Sequence, residues 1–381
     1  NVGPLVVGVL EPATQETEFF RNGGGIVLGP GGPVMAGGTP SAGVISPTGQ
    51  RMFTILATGL LTSNLDVATG RFLPTAFNAD ANLGASDNLI IVRGTPAQEP
   101  RRSQDPQNVF RFIAIDRDTS GGTNTGRIFV GSRNDALAVQ PPPVFDVLDL
   151  QNGPFLGNEI CTDPTGNLLY IPNITDGAVS FVNLANVPAG GMMIDGSQAV
   201  VMNGAGAVVW RRAALNVNVL NGLVCFQNRI FTSDFNNQVR SADIMADGTL
   251  AEVAGSPFAL TSTAPFGLTV DPRGRFLALM SGAGPNNQVQ LLTINQATGA
   301  VTETSALNVG PGRFPQGLAA SLLDSLIMTE IEAGTLVTSI AVDPNTFALT
   351  QENPRQFVDN SATANFNRNI VAPFYVDALG F

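Results

Sequence analysis

The chain predicts an all-β fold built from repeated four-stranded antiparallel sheets. Long helical periodicity is absent: apolar residues at i, i+3, i+4 and i+7 nowhere run convincingly beyond about ten residues. Residues 318–328 come nearest, and they read equally as a strand. What recurs instead is a short apolar run, then Gly, Asn, Asp or Pro, then another run. These runs repeat as groups of similar order and length.

Residues 43–53 (GVISPTGQRMF), 157–171 (GNEICTDPTGNLLYI) and 267–279 (GLTVDPRGRFLAL) share a Gly, an apolar strand, a Pro-x-Gly turn and a second apolar strand. Pro47, Pro164 and Pro272 preset φ near −65° early in the turn, and Gly49, Gly166 and Gly274 supply the positive φ that closes it. A second turn follows at a regular offset: ATGRFLPT (68–75), ADGTLAEV (246–253), ATGAVTET (297–304) and DPNTFALT (343–350). Each is preceded by an alternating strand (60–67, 238–245, 288–295, 336–343), the pattern of a half-buried outer strand. One unit is therefore a four-stranded meander of about 40–55 residues, the size of one β-propeller blade.

The units fall at 41–82, 83–140, 150–202, 203–260, 264–310 and 314–358, all within a single domain spanning 1–381. The ends, 3–37 and 365–381, contain further strand-like runs such as Val6–Leu10, Gly25–Leu28 and Asn369–Val376. Joined, they would complete a propeller of about seven blades, closed by N- and C-terminal strands so that no sheet edge is left bare.

Residues 168–183 (LLYIPNITDGAVSFVN) resemble the YVTN-type repeat of secreted and surface-layer β-propellers. Residues 255–280, with Ser-Pro-Phe followed by Gly-x-x-x-Asp-Pro-x-Gly-Arg, are similar to repeats of the lactonase-like seven-bladed propellers. The resemblance covers roughly 40–82 and 155–358; the stretch 83–149 departs from it, with a Pro-, Gln- and Arg-rich insertion at 94–108. It implies the fold more than a function, because propellers host many activities. The lactonase-type enzymes it points to use a central-channel set that generally includes His. This chain has no His, so no catalytic residue is carried over.

Composition excludes several chemistries. Charged residues are 13% of the chain, the net charge is −11, and all 19 basic residues are Arg. Without His there is no Ser-His-Asp or Cys-His pair and no His metal ligand, and without Lys no Schiff base. The acidic balance opposes binding to nucleic-acid phosphates. No apolar run is long enough for a helical membrane span. The first residue is Asn rather than Met, as expected after removal of a signal peptide, which points to an extracellular or cell-surface location.

Asp116, Asp118, Ser120 and Asn124 set oxygen ligands at alternate positions around Gly121, as a calcium loop does. Arg127 stands where such a loop needs a bidentate Glu, so a polar hairpin is the plainer reading, and no other cofactor is expected. Cys161 and Cys225 lie in comparable strands of successive units and form a disulfide candidate. Unit alignment sets them one residue out of phase, on opposite sheet faces, which argues against the bond. The alternative is two small buried hydrophobes. Glu330 and Glu332, at i and i+2, could share a strand face for acid–base or metal work, but read more plainly as solvated. Trp210, Arg211 and Arg212 are interface candidates, or a surface pair covering an aromatic. Asn173-Ile174-Thr175 fits a glycosylation sequon.

These readings lead to a secreted, non-enzymatic structural subunit that associates with copies of itself, even into filaments, because a surface poor in charge does little to oppose packing. The first alternative is a lactonase-like or other metal-assisted hydrolytic propeller resting on Asp, Glu, Asn and Arg. The second is a propeller that binds a sugar or peptide.

Overall fold

The computed structural model describes residues 5–10, 17–22, 40–45, 51–56, 59–66, 71–79, 88–93, 109–116, 126–134 and, with short interruptions, 144–356. Strands β1 (Leu5–Leu10) and β2 (Thr17–Asn22) form a two-stranded antiparallel ribbon. Six larger sheets follow in chain order. The first is β3 (Pro40–Ile45), β4 (Arg51–Leu56), β5 (Gly59–Asp66) and β6 (Arg71–Ala79), an antiparallel meander. The second joins β7 (Asn88–Arg93), β8 (Val109–Asp116), β9 (Gly126–Asn134) and β10 (Phe145–Gln151). The third contains β11 (Cys161–Thr162), β12 (Leu168–Pro172) and β13 (Val179–Asn183).

Here the meander is interrupted. After a single 3-10 turn, Leu184–Asn186, strand β14 (Met192–Asp195) leaves the third sheet and adds to the second, parallel to β10. Gly191 makes this crossing possible, since a Cβ there would lie 1.9 Å from the Val147 carbonyl oxygen. Strands β15 (Val200–Met202) and β16 (Val208–Ala213) then return to complete the third sheet. The fourth sheet is β17 (Leu220–Phe226), β18 (Arg229–Asp234), β19 (Gln238–Ile244) and an outer edge split into β20 (Leu250–Glu252) and β21 (Phe258–Ala259). The fifth is β22 (Pro265–Val270), β23 (Phe276–Ser281), β24 (Gln288–Ile294) and β25 (Val301–Asn308). The sixth is β26 (Phe314–Ala320), β27 (Ser325–Ile331) and β28 (Thr335–Val342), with β29 (Leu349–Gln351) and β30 (Arg355–Gln356) sharing the outer edge.

The units expected at 41–82, 264–310 and 314–358 coincide with whole sheets. Those at 83–140, 150–202 and 203–260 do not. The second sheet extends to Gln151 and borrows β14, while β16 belongs to the third sheet rather than the fourth. The reason is the crossing of β14, which inserts an extra strand into one repeat and displaces the boundaries on both sides. Of the expected closing blade, 365–381 lies outside the described residues.

Hydrophobic clusters fill the spaces between successive sheets. Phe53 and Ile55 meet Phe112 and Phe129 between the first and second. Ile113 and Ile128 meet Leu169 and Trp210 between the second and third. Tyr170 and Phe181 meet Ile230 and Ala242 between the third and fourth. Phe231 and Val239 meet Leu277 and Leu292 between the fourth and fifth. Phe276 and Leu291 meet Leu326 and Ile340 between the fifth and sixth. Each of the second to fifth sheets thus buries both faces, against a different neighbour on each side. The first strands adjoin one another as well: β3 lies against β7, β11 against β17, β17 against β22, and β22 against β26.

The tight turns behave as their residues require. Asp163 accepts from the amides of Asn167 and Leu168 at 2.9 and 2.7 Å, and Gly166 closes that turn at φ 68°. Asp271 and Gly274 (φ 69°) repeat the arrangement. In the second turn class Gly248 and Gly299 take positive φ, and Phe347 takes the same role at φ 56°. Arginines then tie turns to neighbouring sheets. Arg111 Nη1 donates to the Gly166 carbonyl at 2.7 Å, Arg211 pairs with Asp247 at 2.8 Å, and Arg275 joins Asp271 of its own sheet to Asp324 of the next.

Candidate functional site

The first strands of the sheets other than the second share a local irregularity. Register shifts interrupt β3 between Pro40 and Ala42, β17 between Leu220 and Gly222, β22 between Phe266 and Leu268, and β26 between Pro315 and Gly317. Such bulges free backbone N–H groups from the ladder and re-aim side chains. The third sheet shows the largest interruption. Pairing with β12 holds at the isolated bridge Leu156–Asn173 and at the Gly157 amide, which donates to the Pro172 carbonyl at 2.6 Å, and resumes at Cys161–Tyr170, leaving Glu159 and Ile160 bowed out before it.

Glu159 sits in that bow. Its carboxylate reaches across to the first strands of the next two sheets, where the Leu223 amide donates to Oε2 at 2.8 Å and the Leu268 amide also donates to it. Gly222 and Gly267 precede these two amides and leave the room. A Cβ on Gly222 would sit 3.0 Å from Glu159 Oε2, and one on Gly267 4.0 Å from Oε1. Burial pushes the Glu159 carboxyl up to about 7, although the two N–H bonds pull it down. The side chain nevertheless keeps part of its surface accessible. Ser233 completes the niche: its Oγ lies 2.8 Å from the same Gly222 Cβ position and has no hydrogen-bond partner. A carboxyl that titrates near neutrality, held by two fixed backbone donors, is suited to taking and returning a proton.

Next along β18, Asp234 is fully buried, and desolvation raises its pKa. It accepts from the Asn236 amide at 2.8 Å and faces Arg240, which itself pairs with Glu252 at 2.6 Å. Asp234 is therefore a structural anion committed to its own network.

The residues singled out from the sequence fall elsewhere. Asp116 Oδ2 is paired with Arg127 at 2.8 Å, so the Arg in the twelfth loop position neutralises the first expected calcium ligand. Asp118, Ser120 and Asn124 lie outside the described residues, among which no three His, Cys, Asp or Glu side chains gather to hold a cation. Trp210 is fully buried in the core between the second and third sheets, which corrects its reading as an interface anchor. The alternation of β16 that turns Trp210 inward turns Arg211 outward to Asp247, and Arg212 is half-buried beside it. Asn173 is also fully buried, donating to Ser180 Oγ at 2.9 Å, so it offers no amide for a glycan. Glu330 lies on β27 opposite Pro315 and Leu336; its side chain and Glu332 lie outside the described residues.

Cys161 and Cys225 are bonded, with their Cα atoms 5.6 Å apart. The one-residue phase difference that argued against this bond is what the packing demands. Cys161 shares a face with its partner Tyr170, toward the fourth sheet, and Cys225 shares one with Ile230, toward the third. In a stack, facing surfaces of neighbouring sheets are opposite faces of the repeat unit, so residues that meet there must be out of phase.

No family model matches the chain, and no curated protein matches it. Solved structures do. A candidate 6-phosphogluconolactonase from Bacteroides fragilis NCTC 9343 is 14% identical, with a TM-score of 0.57 over 89% of this chain and 86% of its own. A candidate 6-phosphogluconolactonase from Bacteroides uniformis ATCC 8492 is 12% identical, with a TM-score of 0.56 over 91% and 94%. The periplasmic gluconolactonase of Pseudomonas aeruginosa is 14% identical, with a TM-score of 0.54 over 78% and 79%. The chain has the fold of the lactonase-like β-propellers. At such identities the likeness is one of fold. It corrects the expectation of a non-enzymatic, filament-forming subunit, since these three structures, which share the architecture over most of their length, are named as lactonases.

Glu159 was not among the residues singled out from the sequence, although a signal was present. It stands four residues before Asp163-Pro164, where Gly267 stands four residues before Asp271-Pro272. A charged residue in an apolar first strand, at a position the aligned unit gives to Gly, marks a departure from the repeat.

Proposed function

We propose that this chain is a lactonase-like hydrolase that opens a cyclic ester, with Glu159 as its acid–base group. The observation that carries the reading is the Glu159 carboxyl itself, bowed out of the third sheet, accepting the Leu223 amide at 2.8 Å and titrating near 7. In the ionised form it takes a proton from a water molecule as that water attacks the lactone carbonyl. The tetrahedral adduct collapses with cleavage of the ring C–O bond, and Glu159 returns the proton to the departing alkoxide. The product is an open hydroxy acid. A His is not required, because burial already brings a carboxyl into the range in which His normally works.

The disulfide favours an oxidising compartment. Together with the periplasmic location of the Pseudomonas aeruginosa protein, this supports placement of the chain outside the cytoplasm. The test is hydrolysis of a panel of five- and six-membered sugar lactones, phosphorylated and not, by the purified protein and by Glu159→Gln. Ring opening by the wild type and a loss of about a hundredfold or more in the variant are expected. Equal rates in the two proteins would overturn the assignment of Glu159, and no turnover of any lactone would overturn the reaction class.

A further inference from the structure

Glu159 and Cys161 are two residues apart in the third sheet, and Leu223 and Cys225 are two residues apart in the fourth. Two connections therefore run side by side between the same segments: the Leu223 amide to Glu159 at 2.8 Å, and the disulfide between Cys161 and Cys225. The segment that carries Glu159 has little else to fix it. Strand β11 is only two residues long, and once the Gly157 amide has donated to the Pro172 carbonyl at 2.6 Å, the described residues show no further ladder pairing until Cys161. Both cysteines are only partly buried.

We propose that the Cys161–Cys225 disulfide is the positioning element of the site: it holds the Glu159 carboxyl against the amides of β17 and β22, and its thiol state governs whether the site is formed. This rests on Glu159 being the acid–base group. The switch is ordinary exchange chemistry. One thiolate of a dithiol reductant attacks a sulfur of the bridge, releasing one cysteine, and its second thiol then closes on the mixed disulfide to release the other. Cys161 and Cys225 end as two thiols and the reductant as a cyclic disulfide. With the bridge gone, the bow is free to draw Glu159 off the two amides and into water. The groups around the niche are Gly222, Leu223, Gly267, Leu268, Ser233 and Met280, none of which ionises, and Asp234 next to Ser233 is held by Arg240 and the Asn236 amide. Glu159 is thus the group that reports the change.

The experiment follows the Glu159 carboxyl directly, by carbon-13 NMR titration of protein labelled at Glu side-chain carboxyls and assigned with Glu159→Gln. Oxidised wild type is compared with the same protein kept reduced in dithiothreitol and with Cys161→Ala/Cys225→Ala. Lactone hydrolysis and far-ultraviolet circular dichroism are recorded alongside. The expected result is a midpoint near 7 in the oxidised protein. In both bridge-free forms it should fall by about one unit or more with β-sheet signal retained, and hydrolysis should drop about tenfold or more. An unchanged Glu159 titration in folded, reduced protein would overturn the proposal, whatever the activity. Loss of the β-sheet signal on reduction would overturn it too, because the bridge would then hold the fold rather than the carboxyl. A shifted titration in a protein inactive toward lactones in both states would leave the positioning role standing and remove the proposed reaction.

Discussion

The amide of Leu223, in the first strand of the fourth sheet, donates to the carboxylate of Glu159, which belongs to the third. This bond crosses the seam between sheets at a point where both strands have slipped out of regular pairing. A repeat that ran true would spend that amide elsewhere or leave it to water.

The first prediction concerns pH. The Glu159 carboxyl is raised from an ordinary value of 4.5 to about 7, so the folded state favours its protonated form. The stability this confers is complete below about 4.5 and is lost as pH rises through about 7. The expected loss is about 2–3 kcal/mol, lessened by the part of the side chain that water reaches. Denaturant unfolding of the wild type and Glu159→Gln across this range should show the slope reduced in the variant by the Glu159 contribution. The ionised form does the proton abstraction, so lactone hydrolysis by the wild type should rise with pH to a plateau above the same midpoint.

Loss of the disulfide should also be felt in global stability. The bridge closes a loop with a sequence separation of 64 residues, for which loop entropy gives about 4 kcal/mol. Equilibrium unfolding of Cys161→Ala/Cys225→Ala at acid pH, where Glu159 is neutral, should lie about 2–5 kcal/mol below the wild type. A difference below about 1 kcal/mol would mean that the unfolded chain gains little freedom when the bridge is absent.

Gly274→Ala tests the Pro-x-Gly turn. The position has φ 69°, and a Cβ would fall 2.1 Å from the Phe226 ring of the fourth sheet. Left-handed strain and displacement of a packed ring together should cost about 2–4 kcal/mol, read as a lowered unfolding midpoint. Gly204→Ala, where no atom lies within 4 Å, is the control and should be nearly neutral.

Trp210 separates the two readings of its segment. It is fully buried between the second and third sheets, so Trp210→Ala should destabilise by about 3–5 kcal/mol. Elution volume and light-scattering mass should stay as in the wild type so long as the protein is folded. A change of association state at unaltered stability would restore the interface reading.

Arg275 stands between Asp271, which is fully buried, and Asp324 of the next sheet. Arg275→Met should cost about 2–4 kcal/mol, because it leaves a buried carboxylate without its cation.

Much of the architecture was legible from residue order. The Asp-Pro-x-Gly and Ala-x-Gly turns are local chemistry, and Gly166, Gly274, Gly248 and Gly299 take the positive φ their turns need. The boundaries of the second and third sheets were hidden, because the parallel pairing of β14 with β10 is a long-range choice with no local signature. The candidate pair Cys161 and Cys225 is bonded, and the phase argument against the bond fails for a geometric reason: phase within a repeat says which face a residue occupies, and stacking reverses which faces meet. Trp210 read as an interface candidate because Arg211 and Arg212 follow it, whereas the core between the second and third sheets buries it. Glu159 stood in plain sight as a lone carboxylate in an apolar strand. Its partners are backbone amides more than sixty residues away, and amides carry no side-chain signal.

Repeat proteins owe much of their evolutionary ease to modularity, since a unit with all its strands in one continuous stretch can be duplicated, deleted or exchanged without touching its neighbours. The strand Met192–Asp195 removes that freedom at one seam. The stretch of chain that supplies the third sheet also supplies an edge to the second, so neither can be excised or replaced cleanly. Lineages carrying this crossing would inherit the two units as a pair, and any variation in repeat number would have to occur elsewhere along the chain.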